Sequence, residues 1–594
     1  MPHARSRLIL TCALLAACAG SDAVDPSRVP RAIAVTPNAP VLASLGIATR
    51  LTAEVRNANG GVVANQVVTW SRRGSGATQV SDSGVVTSAA NGVDTIVATS
   101  GNLTGTDVVT VQQTVATISV VSSTTVLTVL GSTVTLNATA LDANGRVVAT
   151  DPVVWSSSNP NALPVSAAGV VTAARPGSTE VIATIGSLTG RRTISVALTS
   201  PVGGPQLGVT VPCVGGFAGV FPCSGVDLLA FLPVSGLGGG PGVDLNDLWG
   251  WTDPTTNKEY AVVMRRDGAA FVDVSSATNP VYLGFLPITP GASANIWHDV
   301  KVYADHAFIV ADAAGPHGMQ VFDLRHLRAH AGIPRTFTAD ALYTQVNSAH
   351  NIAINEASGF AYIVGASGGG MTCGGGLHMV NIVTPSAPTF AGCFADPLTG
   401  RASTGYTHDV QCVLYTGPDL AYRDREICLG SNETHLSIAD VTDKQAPVAI
   451  SRASYPQVAY THQGWLTDDQ RYFLVNDEVD EIQFGLTGTR TLIWDVQELD
   501  DPILVGQFYG PNPSTDHNHY IRGSRMYAST YQFGLRVVDV SNPLQPAALG
   551  FFDTAPQLSN VPGFGGSWSN YPYFRSGIVV MTSRGEGFFV LRVP

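Results

Sequence analysis

Five times in the second half of the chain a histidine stands where an apolar run begins: Trp297-His298-Asp299-Val300, Ala349-His350-Asn351-Ile352, Thr407-His408-Asp409-Val410, Thr461-His462-Gln463-Gly464 and Asp516-His517-Asn518-His519. Successive histidines (298, 350, 408, 462, 517) lie 52, 58, 54 and 55 residues apart. A recurrence of that length implies a repeat architecture with one supersecondary unit per repeat, and it sets the same polar group at the same corner of every unit. With 594 residues the chain exceeds a single ordinary core, so further domains are expected.

Each histidine unit runs through four parts. A second apolar strand follows the histidine strand, as in Ala307-Phe308-Ile309-Val310. The third ends in a recurring polar residue: Asp273, Asp323, Asn381, Asp440, Asp495 and Asp539 each follow a strand core such as Val537-Val538 and can cap the next turn. A proline then opens the fourth strand at Pro280, Pro447, Pro502 and Pro546. Four short strands per unit describe a β-propeller blade. Two degenerate units, near Leu248-Trp249-Gly250-Trp251 and Trp568-Ser569-Asn570-Tyr571, bring the expected count to seven, with six and eight as alternatives. The last unit stops at a third strand, Phe588-Phe589-Val590-Leu591. Leu229-Ala230-Phe231-Leu232-Pro233-Val234 matches a fourth strand, Leu283-Gly284-Phe285-Leu286-Pro287-Ile288, so an N-terminal strand is expected to close the ring.

Residues 31 to 197 hold a different repeat, gap-free at an offset of 85, which aligns Trp70-Ser71 with Trp155-Ser156 and Gly84-Val85-Val86-Thr87 with Gly169-Val170-Val171-Thr172. Short Val/Thr/Ile runs between Asn-Gly and Ser-Gly turns predict a β-sandwich in each copy, with the tryptophan as core plug. The fold class expected is therefore all-β: two tandem sandwiches, then the propeller.

Composition agrees. There are 62 Gly and 36 Pro against 13% charged residues, and the net charge of −12 includes no basic stripe, with lysine only at 258, 301 and 444. Nucleic acid is excluded as a partner. At the N-terminus Arg5 and Arg7 precede an apolar run, Leu8 to Ala17, too short to span a bilayer, which reads as an export signal. Six cysteines in the last domain, Cys213, Cys223, Cys373, Cys393, Cys412 and Cys428, read as disulfides in an exported chain. Fifteen pairings are open, of which nearest-neighbour pairing is sterically reasonable because Cys412 and Cys428 fall on adjacent antiparallel strands.

Three resemblances attach to these motifs. Leu15-Ala16-Ala17-Cys18 resembles the bacterial lipobox, which implies lipidation of Cys18, a membrane partner through the acyl chains and, with Ala19 next, the outer membrane. The Val-x-Trp-Ser strands with Gly-Val-Val-Thr resemble bacterial Ig-like domains of group 2, which commonly serve as stalks. The third-strand motifs and the order of the histidine motifs resemble the LVIVD repeat and the choice-of-anchor B family, over roughly residues 225 to 594. That implies a surface propeller and brings no catalytic residues. The domains expected are a signal at 1–17, lipidated cysteine and linker at 18–30, Ig-like domains at 31–113 and 114–198, a linker at 199–224 and the propeller at 225–594.

The start of the first strand and the loop between the second and third share one face of a blade. The histidines therefore meet Asp312, His317, Glu433 and the acidic run 476–481 at one mouth of the channel, where Trp297, Trp465, Tyr520 and Trp568 are also expected. The sharp reading is a divalent-metal site, calcium or zinc, in which His408 with Glu433, or His462 with Asp477 and Glu478, supply the ligands. His298, His350, His517 and His519 complete the candidate ligand or metal face. The plainer reading makes the five repeated histidines, at 298, 350, 408, 462 and 517, inter-blade hydrogen-bonding groups whose partners include Asp299, Asn351, Asp409, Gln463 and Asn518, and makes 476–481 a solvated loop. No catalytic residue is assigned. The function expected is a surface-anchored binding module for a polysaccharide or protein ligand, with a metal-dependent hydrolase and a purely structural envelope component as alternatives.

Overall fold

The computed structural model describes residues 25–150, 152–197, 203–329 and 332–593; the export signal and Cys18 lie outside them. The protein is all-β and divides into two compact units. One comprises most of residues 25–194; the other runs from Ser195 onward, with short segments 126–132 and 173–177.

In the first unit the two copies of the 85-residue repeat build matching sheets. Thr69–Gly74, Gly92–Ser100 and Leu103–Val111 form an antiparallel run in the first copy, and Val154–Ser157, Gly177–Ile185 and Leu188–Val196 form it in the second. Leu51, Val86, Ile96 and Val109 make the first core. The tryptophans are half-buried rather than central plugs. Gly84 and Gly169, both at positive φ, sit against them: a Cβ on either would meet the indole at 2.8 or 2.9 Å. The conserved spacing of Trp and Gly within the duplication thus records one contact made twice.

Among the described residues the second unit contains seven sheets, each built on four antiparallel strands; the first adds Arg335–Thr336 in parallel and the sixth adds Phe217–Ala218 and Phe221–Ser224. Six are consecutive meanders, exemplified by the fourth: Asp409–Leu414, Glu426–Ser431, Leu436–Asp440 and Val448–Ala453. The seventh joins Ser567–Tyr571, Ile578–Ser583 and Gly587–Arg592 to Asp227–Pro233 from the other end of the unit, with Leu232 opposite Phe588 and Arg592 paired to Asp227 at 2.7 Å. The first strands are Leu245–Thr252, His298–Tyr303, Asn351–Asn355, Asp409–Leu414, Thr461–Leu466, His519–Arg522 and Ser567–Tyr571. Each lies beside the next, and the seventh lies beside the first.

Local chemistry repeats with the sheets. All six polar residues that end the third strands accept a backbone N–H two residues on, at 2.8–3.0 Å: Asp273, Asp323, Asn381, Asp440, Asp495 and Asp539. Five sheets carry the same register shift between third and fourth strands, for instance at Ile438/Ala439 and Val537/Val538. Apolar cores fill the spaces between neighbouring sheets. One joins Phe588 and Val590 of the seventh sheet to Leu248, Val263 and Ala270 of the first.

The stretch read as a linker at 199–224 is not bare connection where it is described. Phe221–Ser224 extends the sixth sheet by pairing with Ala547–Phe552, and Phe221 packs on Phe552 and Phe589 at 5.4 and 5.2 Å. Apolar burial overrides its Pro/Gly-rich character. The disulfides are Cys213–Cys223, Cys373–Cys393 and Cys412–Cys428, the last between residues directly opposite on neighbouring strands. They place the protein in an extracellular or periplasmic setting. Among the described residues no helix is long and apolar enough to cross a membrane.

Candidate functional site

Because the histidines stand at or just before the start of adjacent first strands, they meet one another. The rings of His350 and His408 lie 4.2 Å apart, those of His408 and His462 4.3 Å, and those of His462 and His517 4.7 Å; His517 continues onto Trp568 at 4.7 Å. These four imidazoles, with Asp312, Glu478, Tyr406, Tyr460, Tyr531, Trp297 and Trp568, line a cavity of about 280 Å³.

The hydrogen bonds orient the rings. His408 Nδ1 faces the carbonyl of His462 at 2.9 Å, and His517 Nδ1 faces the carbonyl of Trp568. A carbonyl can only accept, so each Nδ1 carries the proton and each Nε2 keeps its lone pair. His350 Nδ1 contacts Asp312 Oδ2 at 2.9 Å. Against its burial, that contact holds the Asp312 carboxyl below the usual carboxylate range. Burial, reinforced by the neighbouring imidazoles, drives His408 and His462 well below the ordinary histidine value, and burial lowers His517 to about 3. The rings of His408, His462 and His517 are neutral at physiological pH. Glu478 Oε1 lies 3.9 Å from His462 Nε2 and 4.0 Å from His517 Nε2, and accepts from Tyr531 Oη at 2.9 Å. Burial raises its carboxyl to about 7, the tyrosine bond acting in the opposite sense.

Gly365 shapes the wall. It holds φ +61°, and a Cβ there would stand 2.5 Å from His350 Cβ and 3.0 Å from the Tyr406 hydroxyl.

The other residues singled out by sequence do not line this cavity, although His298, Asn351 and Asn518 adjoin its four histidines. Glu433 turns to accept the Arg401 amide at 2.7 Å. Asp477 is buried, accepting from Tyr455 Oη and the amides of Ala459 and Tyr460. The pairings of His408 with Glu433 and of His462 with Asp477 therefore do not form. His519 bonds Leu474 O at 3.0 Å, away from the cavity. His298 is 2% exposed, neither ring nitrogen has a partner, and its ring meets His317 at 6.0 Å. The imidazole partners expected among Asp299, Asn351, Asp409, Gln463 and Asn518 are replaced by backbone carbonyls and Asp312.

The run 476–481 is not a solvated loop. Asp477, Asp480 and Glu481 are all 1% exposed or less, and Arg490, itself 1% exposed, bonds Asp480 at 2.7 Å. Trp465 and Tyr520 also depart from expectation. They line a second cavity, of about 440 Å³, with Trp249, Tyr571 and Tyr573 toward the far ends of the first strands. Lys301, Asp299, Asp409 and Asp247 lie on those strands just beyond the histidine positions; Lys301 Nζ bonds Asp299 at 2.6 Å. Tyr406 and Tyr460 escaped the sequence reading, although Tyr406-Thr407-His408 and Tyr460-Thr461-His462 share one spacing.

No protein-family model and no curated protein matches this chain. Solved structures similar to it include a functionally unknown protein from Desulfotomaculum acetoxidans DSM 771, 14% identical over 54% of this chain and 88% of that one, with a TM-score of 0.34. A protein from Lactobacillus plantarum is 13% identical over 57% and 89%, with a TM-score of 0.35. U3-55K is 10% identical over 60% and 97%, with a TM-score of 0.38. Overlaps this slight carry neither fold nor function to this chain.

Proposed function

We propose that the protein is an exported lipoprotein of the choice-of-anchor B type, anchored through Cys18 in the outer membrane, whose Ig-like pair serves as a stalk and whose second unit is a seven-bladed LVIVD propeller that binds a ligand in the histidine-lined cavity. The succession of seven first strands, each beside the next and the last beside the first, supports the propeller. The observation that carries the binding role is the convergence of four imidazoles, three tyrosines, two tryptophans and two carboxyls on one recess of about 280 Å³. Such a recess, mostly aromatic with a few convergent polar groups, suits a small polar moiety, here a sugar unit of a surface polysaccharide.

The test is binding of the full chain to arrayed envelope polysaccharides, beside Tyr460→Ala and Trp568→Ala. Retention by at least one polysaccharide, weakened tenfold or more in both folded variants, supports the reading. Equal retention by wild type and both variants removes the cavity from the function. For the anchor, palmitate labelling that disappears in Cys18→Ser is expected, and labelling that persists overturns it.

A further inference from the structure

Resting on the reading of the cavity as the working site, we propose that it holds a divalent transition-metal ion of the zinc class on His462 Nε2, His517 Nε2 and Glu478 Oε1, with a coordination position open to the cavity. The three atoms lie within 4.8 Å of one another, the carboxylate oxygen 3.9 and 4.0 Å from the two nitrogens. Zinc bonds of about 2.0–2.2 Å require ligand atoms roughly 3.4 Å apart in a tetrahedron, so closing on an ion needs movements of only a few tenths of an ångström.

Three features favour an ion over an apolar or purely hydrogen-bonded cluster. The His517 ring is held by its Nδ1–H on the Trp568 carbonyl, the arrangement that fixes the tautomer of a metal-ligating histidine and points its lone pair at the metal. Glu478 is oriented by Tyr531 on the same oxygen that faces the imidazoles. The Nε2 lone pair of His517 and the Glu478 carboxyl oxygen converge beside His462, whose Nδ1 has no hydrogen-bond partner, and their repulsion is relieved by a cation or a shared proton. Two histidines and one carboxylate match the three-ligand set that leaves a position for water or a ligand oxygen. The remaining side faces the recess, where His408 stands one ring away, 4.3 Å from His462. An ion so placed polarises a ligand oxygen or acidifies a bound water.

The experiment is metal analysis of the full chain as purified, followed by stripping and titration with zinc and with cobalt, whose visible spectrum reports coordination. One ion per chain is expected, with a d–d band from cobalt. His462→Ala, His517→Ala and the near-isosteric Glu478→Gln should each weaken zinc at least a hundredfold at unchanged circular dichroism, while His519→Ala and Glu433→Ala keep wild-type affinity. Folded wild type that takes up neither zinc nor cobalt at micromolar concentration overturns the site, and so does uptake indifferent to all three ligand variants. Polysaccharide retained by a chain that binds no metal sinks the ion and leaves the binding role standing. An ion bound without any polysaccharide does the reverse.

Discussion

Lys301 shows how much one residue has to do inside this protein. It is one of three lysines, its side chain is 12% exposed, and it bonds Asp299 at 2.6 Å while lying 4.7 Å over the Trp249 ring. Against the cost of burial, Asp299, Asp247 and Asp409 keep it charged, whereas burial raises Asp409 to about 7 despite Lys301. Removing the ammonium leaves buried carboxyls facing one another. Lys301→Met should lower unfolding free energy by about 3–5 kcal/mol in denaturant titrations, and a loss under 1 kcal/mol would show that the charge is dispensable. His298 behaves oppositely. Burial, then the neighbouring His317, lowers it to about 3, so the native ring is neutral where an unfolded one takes up a proton below about 6.5. Its depressed value contributes stability that is present above pH 6.5 and is lost as pH falls toward 3, at about 1.4 kcal/mol per unit. His298→Leu should therefore flatten the decline in stability between pH 6.5 and 4.5 without a loss at pH 7.5, since neither ring nitrogen is bonded. An unchanged slope would contradict the neutral assignment. None of this was legible in the sequence, where a histidine next to an aspartate looks like a bonded pair.

Strands and turns were far more legible. The aspartate and asparagine residues that end third strands announced caps that all six make, because an Asx turn depends only on residues two apart. The match between residues 229–234 and a fourth strand likewise identified the strand that pairs with Gly587–Arg592. Deleting residues 587–593 removes both its ladder and the Arg592–Asp227 pair. The second unit should then lose cooperative unfolding and become protease-sensitive; a truncated chain that melts like the parent would show that the pairing is not needed. What failed at this scale was position along a strand and pairing across strands. Trp465 lies three residues beyond His462, roughly 10 Å at 3.3 Å per residue, enough to take it from the histidine cavity to the aromatic one. Asp477 and Asp480 looked solvated because the arginine that answers them, Arg490, arrives from the next strand.

The whole molecule joins a cysteine-free β pair, over its described residues, to a unit held by three disulfides that close loops of 10, 16 and 20 residues. Each disulfide should contribute roughly 3 kcal/mol. Reductant should accordingly lower the melting transition of the second unit and leave that of the first in place, as calorimetry can read; a shift in both would contradict the separation into two units. The histidine period revealed that a polar group recurs at each sheet. It could not reveal that four of the rings stack into one wall, because that depends on seven sheets standing side by side, and on Glu478 and Asp312 entering from loops of different sheets. The central claim is that neighbouring strands turn His408 and His517 so that Nδ1 is spent on the backbone and Nε2 keeps its lone pair. Long-range ¹H–¹⁵N correlation spectra of the histidine-labelled, metal-stripped chain test it directly. At pH 7 the account predicts neutral Nδ1–H tautomers for His408 and His517, assigned by their loss in His408→Ala and His517→Ala; Nε2–H tautomers or doubly protonated rings would contradict it.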